Sequence, residues 1–242
     1  MEPKIVSKEE WLEARRALLA REREATHLRD AVSAERRALP WVRVETDYVF
    51  DTPDGTASLA DLFDGRSQLV VKHFMLPPGG PICPGCAGDA DMVDAARRHF
   101  EQADLSYVAV SRAPVAEIEA ARKRLGWTFR WVSCGGNSFN HDYWTAFTPE
   151  QIAAGAVSYN YGTTPYAHPD LPGISVFARG ADGSVFHTYS TYSRGTELIF
   201  TPFSYLDMTP KGRNEGEGIM SWLRLHDEYE TASAKACCHA AE

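Results

Sequence analysis

The chain has 242 residues, 44% of them hydrophobic and 24% charged, with a formal net charge of −8. That composition belongs to a globular protein of one domain with extensions, and excludes a disordered or fibrous chain. The negative balance gives no general attraction to nucleic-acid phosphates or anionic lipid, and no apolar stretch approaches the ~20 residues that span a bilayer.

Neither nucleic acid nor membrane is therefore expected as a partner. Charge follows Met1 almost at once, which leaves no signal-peptide core and points to the cytoplasm. Five cysteines are an odd number. In a reducing compartment they read as thiols, metal ligands or catalytic pairs rather than as staples.

Positions 7–38 predict one long helix. Ser7 is the N-cap, and Glu10 three residues later completes a capping box. Trp11, Ala14, Leu18, Ala25, Leu28 and Val32 form an apolar stripe that Arg21 and Glu35 interrupt. About thirty residues at 1.5 Å each make a rod of roughly 45 Å. The expectation is an arm packed across its own domain, with a short coiled coil pairing a homodimer as the alternative. Leu39-Pro40 ends it.

Beyond it, Asp54-Gly55 and Asp64-Gly65 mark turns around a short helical turn at 58–63. Residues Gln68 to Met75 form an apolar, β-branched run of strand length, expected in the middle of a sheet. Leu76-Pro-Pro-Gly-Gly-Pro81 excludes regular structure and delivers the chain to Cys83. A helix is expected over Asp89–Phe100 and a strand over Tyr107–Val110. A helix with Ile118 and Leu125 facing inward follows, ended by Gly126, and then a strand over Phe129–Ser133.

Thr148 and Pro149 open a short helix as N-cap and N1. Positions 155–173 read as an ordered surface loop. Ile174–Ala178 and Ser184–Thr191 flank Gly180-Ala-Asp-Gly183 as an antiparallel hairpin. A last helix is expected over Gly218–Glu230, carrying Met220, Leu223 and Leu225, before a flexible tail.

Parallel units followed by an antiparallel hairpin make an α/β chain with a mixed central sheet, the thioredoxin-like arrangement. A long helical extension precedes it and a C-terminal helix follows. The expected division is a helical arm over 1–40, the thioredoxin-like domain over 41–209, and a helix with a flexible tail over 210–242.

The dithiol Cys83-Pro84-Gly85-Cys86 lies between the buried strand and the following helix. A cysteine at a helix N-terminus faces unsatisfied N–H groups and the positive end of the helix dipole, which favour the thiolate. Cys83 is therefore assigned as nucleophile and Cys86, one turn on, as resolving thiol. Asp89 and Asp91 work against the thiolate, so moderate activation is expected.

Two cysteines lying together by chance compete poorly with this position. Zinc would need Cys134, Cys237, Cys238, His239 or His187 to complete the half-site, and no second CxxC stands at ribbon spacing. A copper chaperone would add a distant histidine, with His187 the candidate, though a strand histidine is more often structural. No metal and no cofactor are assigned. Cys134 reads as a half-buried bystander. Cys237-Cys238-His239 offers soft ligands or exchangeable thiols on a tail. Tyr159, Tyr161, Tyr166, Tyr189, Tyr192 and Trp144 read as core or as a groove beside the dithiol, and His141-Asp142 as surface hydrogen bonding.

Arg37-Ala-Leu-Pro-Trp-Val-Arg43, Leu59-Ala-Asp-Leu-Phe-Asp-Gly-Arg-Ser-Gln-Leu69, Val108-Ala-Val-Ser-Arg-Ala-Pro114 and Gly126-Trp-Thr-Phe129 are distinctive phrases. With Gly173-Ile-Ser-Val-Phe177 and Phe186-His-Thr-Tyr-Ser-Thr-Tyr192, they resemble a bacterial thioredoxin-like family. It is domain-of-unknown-function family 899, described as dithiol-disulfide oxidoreductases. The resemblance runs collinearly from about Ser7 to Tyr229. It implies the fold and, through Cys83 and Cys86, redox chemistry on a protein or small-molecule disulfide. It also implies a cis-proline before a strand facing the dithiol, a substrate-binding role that Pro172 has the spacing to fill.

The layout is also similar to that of peroxiredoxins. Their signature sets Thr or Ser three residues before the peroxidatic cysteine and Pro four residues before that. Counting back from Cys83 gives Gly80 and Leu76, and from Cys86 gives Cys83 and Gly79. A thiol peroxidase is therefore the second reading, ahead of a metal-binding or non-catalytic scaffold.

Overall fold

A computed structural model of the chain describes residues 3–155, 158–163, 168–216 and 218–229. Its two compact units are Met1–Pro40 and Trp41–Glu242. In the first, helix α1 runs over Lys8–Arg37. The expected capping box forms: the Ser7 hydroxyl accepts the Glu10 N–H at 3.2 Å, and the Glu10 carboxylate accepts the Ser7 N–H at 2.9 Å. Glu9 and Glu10 in the first turn and Arg36 and Arg37 in the last suit the helix dipole. None of its residues is buried, and Trp11, Leu18, Leu28 and Val32 of the stripe are exposed.

The second unit opens with β1 (Val42–Arg43) and the hairpin β2 (Val49–Thr52) and β3 (Gly55–Ser58). The central strand β4 (Gln68–His73) leads to helix α2 (Pro84–Glu101), then β5 (Leu105–Ser111), α3 (Val115–Leu125) and β6 (Arg130–Ser133). Two short helices follow, α4 (Phe139–Asp142) and α5 (Pro149–Ala153). The hairpin β7 (Gly173–Arg179) and β8 (Val185–Tyr192) comes next, followed by α6 (Thr201–Leu206).

Among the described residues these strands form one sheet in the order β1-β8-β7-β4-β5-β6-β2-β3. β4, β5 and β6 run parallel, while β7 is antiparallel to β4 and β8 to β7. The β4–α2–β5 crossover beside an antiparallel β7–β8 hairpin is the thioredoxin-like arrangement. β5 shows why its strands read as unbroken apolar runs. Tyr107 and Ala109 face a core built with Ala87 and Ala90 of α2 and Ile118 and Ala121 of α3. Val108 and Val110 face the opposite core, with Leu69, Val71, Phe139 and Phe177.

Two expectations need correction. Helix α2 begins at Pro84, five residues before Asp89, so the dithiol lies in its first turn. The helix expected over Gly218–Glu230 is absent over 218–225, and only 226–229 are helical. Its apolar positions, Met220, Leu223 and Leu225, are three and two apart, which is not one helical face. Met220 instead takes a positive φ of 59° and donates its N–H to Glu215 Oε1 at 2.7 Å. The tail over 230–242, with Cys237, Cys238 and His239, lies outside the described residues. Among the residues described, no helix is long and apolar enough to cross a membrane.

Across β4, β7 and β8 a polar chain ties the three neighbouring strands. His73 bonds Asn140 Oδ1 and Ser175 Oγ, each at 2.9 Å. Ser175 then meets Ser190 at 2.8 Å, and Ser190 meets His187 Nε2 at 2.7 Å. Burial pushes the His73 imidazole down to about 4, against the opposing Asn140 hydrogen bond. Between its ordinary value and that figure the unfolded chain takes a proton that the fold refuses. Stability is therefore full above the ordinary histidine value and falls as the pH drops to about 4, by about 3 kcal/mol. Urea unfolding across that window, wild type against His73→Gln, checks this; equal slopes in the two proteins would rule out His73 as the source.

Candidate active site

The site begins where β4 ends. In open α/β sheets ligands gather beyond the carboxyl ends of strands at the point where the connections diverge. β4 is that point, with β5 on one side and β7 on the other. The loop leaving it is pinned by Phe74 N–H to the Val110 carbonyl at 2.9 Å and by Gly79 N–H to Glu117 Oε2 at 2.9 Å. It returns at Cys83, whose N–H reaches the Met75 carbonyl at 3.4 Å.

Cys83 occupies the N-cap of α2, where Ser, Thr, Asp or Asn commonly stands. Its sulfur does the capping and accepts the Cys86 N–H at 3.5 Å. Pro84 at the first helical position has no N–H to leave orphaned. Cys83 is half-buried and Cys86 is buried against Phe74, Leu76 and Ala90, and both are free thiols.

The two thiols are driven apart electrostatically. The hydrogen bond from the Cys86 thiol is the largest influence holding the Cys83 sulfur down, to about 6 from an ordinary 9.0. The Cys86 and Gly85 N–H groups and the Lys72 charge add to it, against burial. Cys86 is pushed well up by that same bond, by burial and by the Cys83 charge. One thiol is thus ionised near neutral pH while its neighbour keeps its proton, the arrangement an attacking and a resolving cysteine require.

Beneath the dithiol lies a buried ion pair, the Lys72 ammonium on the Asp89 carboxylate. Burial pulls the Lys72 ammonium down, but Asp89 and Cys86 outweigh it and hold it raised. The expected opposition of Asp89 to the thiolate is offset by Lys72, while Asp91 is turned to other partners. Asp89 is spoken for by Lys72, and Asp91 accepts from Trp127 Nε1 at 2.6 Å and meets His226 Nδ1 at 2.7 Å. Lys72 was within reach of sequence reasoning, because a charged residue in a buried strand must find a partner. Which partner it finds depends on the helix packed above.

Pro172 lines the same cavity as Cys83 and Cys86. The expected cis bond is not there: among the described residues every peptide is trans. The turn before it is fixed by other means. Arg112 grips the Asp170 carboxylate with two bonds, at 2.7 and 2.6 Å, and the Leu171 N–H meets the Thr145 carbonyl at 2.9 Å. Tyr159 donates its hydroxyl to the Pro172 carbonyl at 2.8 Å. Gly173 is required next, since a Cβ there would lie 2.8 Å from the Tyr192 ring and 2.9 Å from Thr145 Cγ2.

The cavity measures about 360 Å³. Its far wall comes from the 3-10 turn Ser193–Ile199, from Phe200 and Phe203, and from Ile219 and Met220. No short-range sequence signal marks these residues, because the wall is assembled from segments far apart in the chain. A larger hollow, about 470 Å³, lies at the amino ends of β4–β6 and is lined by Arg66, Arg97, Arg122 and Arg130. Those arginines already bind Asp64, Glu101, Glu119 and the Asp61 carbonyl, and no cysteine is among the described residues that line it.

The remaining candidates stand apart from the dithiol. His187 is engaged by Ser190 and by the Tyr189 carbonyl at 3.0 Å and does not line the cavity. Cys134 is buried rather than half-buried, and burial pushes its thiol up to about 12. Tyr159 and Tyr192 pack with Phe147 and Leu171 as a small core, and Tyr161 stacks edge-on against Trp144. Tyr166 lies outside the described residues. Asp142 accepts from Tyr48 at 2.7 Å and Ser138 at 2.6 Å. No group of three metal-ligating side chains occurs among the described residues.

Over residues 1–229 the sequence matches the family described as "Bacterial protein of unknown function (DUF899)". A comparison with curated proteins found no match. Among solved structures, peroxidoxin BcpB from Mycobacterium tuberculosis is 15% identical. It aligns over 67% of this chain and 94% of its own, with a TM-score of 0.41. The bacterioferritin comigratory protein of Xanthomonas campestris is 11% identical over 69% of this chain and 98% of its own, with a TM-score of 0.45. Thioredoxin peroxidase I of Plasmodium yoelii is 16% identical over 74% and 99%, with a TM-score of 0.43. At these identities and scores the likenesses bear on neither chemistry nor substrate.

Alkylation of the reduced protein tests the electrostatics directly. The Cys83 rate should rise with pH through a midpoint near 6, and Lys72→Met should move that midpoint upward. The same substitution strands Asp89 and should cost about 3–5 kcal/mol of stability, most of it recovered on adding Asp89→Leu. An unmoved midpoint in Lys72→Met would remove Lys72 from the account.

Proposed function

This chain belongs to the bacterial family of unknown function DUF899, and we propose that it works as a thiol–disulfide oxidoreductase with Cys83 as nucleophile and Cys86 as resolving thiol. One observation carries this reading. Two free thiols share the first turn of α2, the N-cap sulfur held down to about 6 and its neighbour held protonated.

The Cys83 thiolate attacks one sulfur of a substrate disulfide and expels the other as thiolate, leaving a mixed disulfide on Cys83. The Cys86 sulfur then attacks Cys83, its proton goes to the departing sulfur, and the second substrate thiol leaves. The protein ends as the Cys83–Cys86 disulfide and the substrate as two thiols. Two equivalents of an external thiol return the dithiol to its reduced state and leave as their own disulfide. Lys72 steadies negative charge on either sulfur in turn, because its charge lowers both thiols.

Cys83→Ser should abolish turnover, and Cys86→Ser should accumulate the mixed disulfide, recovered by mass spectrometry after acid quench. A Cys83→Ser protein that still reduces disulfides at the wild-type rate would sink the reading. Consumption of hydroperoxide with no activity on disulfides would transfer the site to the peroxidase reading.

A further inference from the structure

We infer that the substrate of this dithiol is a small-molecule disulfide with uncharged arms, and not a disulfide of a folded protein; the inference rests on the oxidoreductase reading. Cys83 lies in the floor of a cavity of about 360 Å³, near the lower end of the range for small-molecule sites.

The wall above it is held at several points. Phe200 rests on α2 where Gly88 leaves room for it: a Cβ at Gly88 would lie 2.7 Å from Phe200 Cε2. The Arg213 guanidinium stacks 3.9 Å over the Phe203 ring while binding Glu197 at 3.0 Å and Asp207 at 2.9 Å. Met220 is tied through its N–H to Glu215, and Trp222 donates to the Arg213 carbonyl at 2.8 Å. A bulky partner therefore meets a wall that must lift as a unit, not one side chain that rotates.

The lining chooses among small molecules. Its charges are already matched, Lys72 with Asp89 and Arg194 with Glu197 at 2.9 Å. Among the described lining residues no cation lacks an anionic partner to leave it for a carboxylate-bearing disulfide. Phe200, Phe203 and Met220 present apolar surface. Pro172 has no N–H, and its carbonyl is taken by Tyr159, so that position offers no free edge for an extended peptide. In the step that follows, R–S–S–R and the dithiol become two R–SH and the Cys83–Cys86 disulfide, with an external thiol as reductant between turnovers.

Two measurements test this on the full chain. The first follows maleimide labelling of the Cys83 peptide by mass spectrometry, with N-ethylmaleimide or a polyethylene-glycol maleimide. The native protein should take up the bulky reagent at least about a hundredfold more slowly than the small one, and equally fast in urea. Gly88→Ala, which pushes on Phe200, should raise the bulky rate and leave the small one alone. If Gly88→Ala fails to fold, Phe200→Ala replaces it.

The second compares oxidation of the reduced protein by 2-hydroxyethyl disulfide, glutathione disulfide and insulin, in that expected order of rate. Comparable labelling by both maleimides, or insulin faster than 2-hydroxyethyl disulfide, overturns the inference. Labelling needs no disulfide chemistry, so size exclusion without any Cys83–Cys86 disulfide would instead overturn the oxidoreductase reading.

Discussion

The Lys72 ammonium and the Asp89 carboxylate meet between β4 and α2 with almost no access to water. Each is tolerable there only because of the other, since an isolated buried charge costs several kcal/mol. Their contact fixes the height of α2 over the end of β4, and with it the place of Cys86 one turn before Asp89. It also cancels the carboxylate that would otherwise oppose a thiolate at Cys83. What remains of Lys72's field reaches both sulfurs. One ion pair thus serves packing and thiol chemistry together, which is why a strand whose middle is Leu69, Val70 and Val71 carries a buried lysine near its carboxyl end.

A second constraint operates above the dithiol. Gly88 allows Phe200 to approach α2 more closely than any residue with a Cβ would permit. Phe200, Phe203 and Leu223 then form a small cluster of their own, continued by the Arg213 stack and the bonded turn at Met220. Helix α2 is therefore shared: its N-terminus presents the thiols, its first turns rest on the ion pair, and Gly88 supports the wall that limits access. Met220, with a positive φ in a residue that rarely adopts one, marks where the backbone bends to close over the site.

Local chemistry made much of this legible. The capping box at Ser7, the N-cap at Thr148, the apolar run of β4, and the turn between β7 and β8 each depend on residues within a few positions of one another. Pro84, Gly85 and Gly88 discourage a helix by propensity, yet an N-cap sulfur and a proline at the first position start α2 there. Over 218–225 the apolar spacing does not make one helical face. Glu215 and the Arg213 carbonyl bind Met220 and Trp222 there instead.

For Pro172, spacing found the right neighbourhood and the wrong bond. Arg112, Asp170 and Tyr159 hold that turn in place with a trans peptide, and these residues are 13 to 58 positions apart from their partners.

Periodicity, caps and turns act over a few residues, and for that reason the β4–α2–β5–α3–β6 order, the β7–β8 hairpin and the dithiol at a strand-to-helix junction were legible in the sequence. Tertiary packing alone settles that Lys72 answers Asp89, that Cys83 lies in the floor of a cavity, and that Ser193, Glu197, Phe200, Phe203, Ile219 and Met220 line its far side. Those outcomes depend on burial, and burial is a property of segments brought together from across the chain.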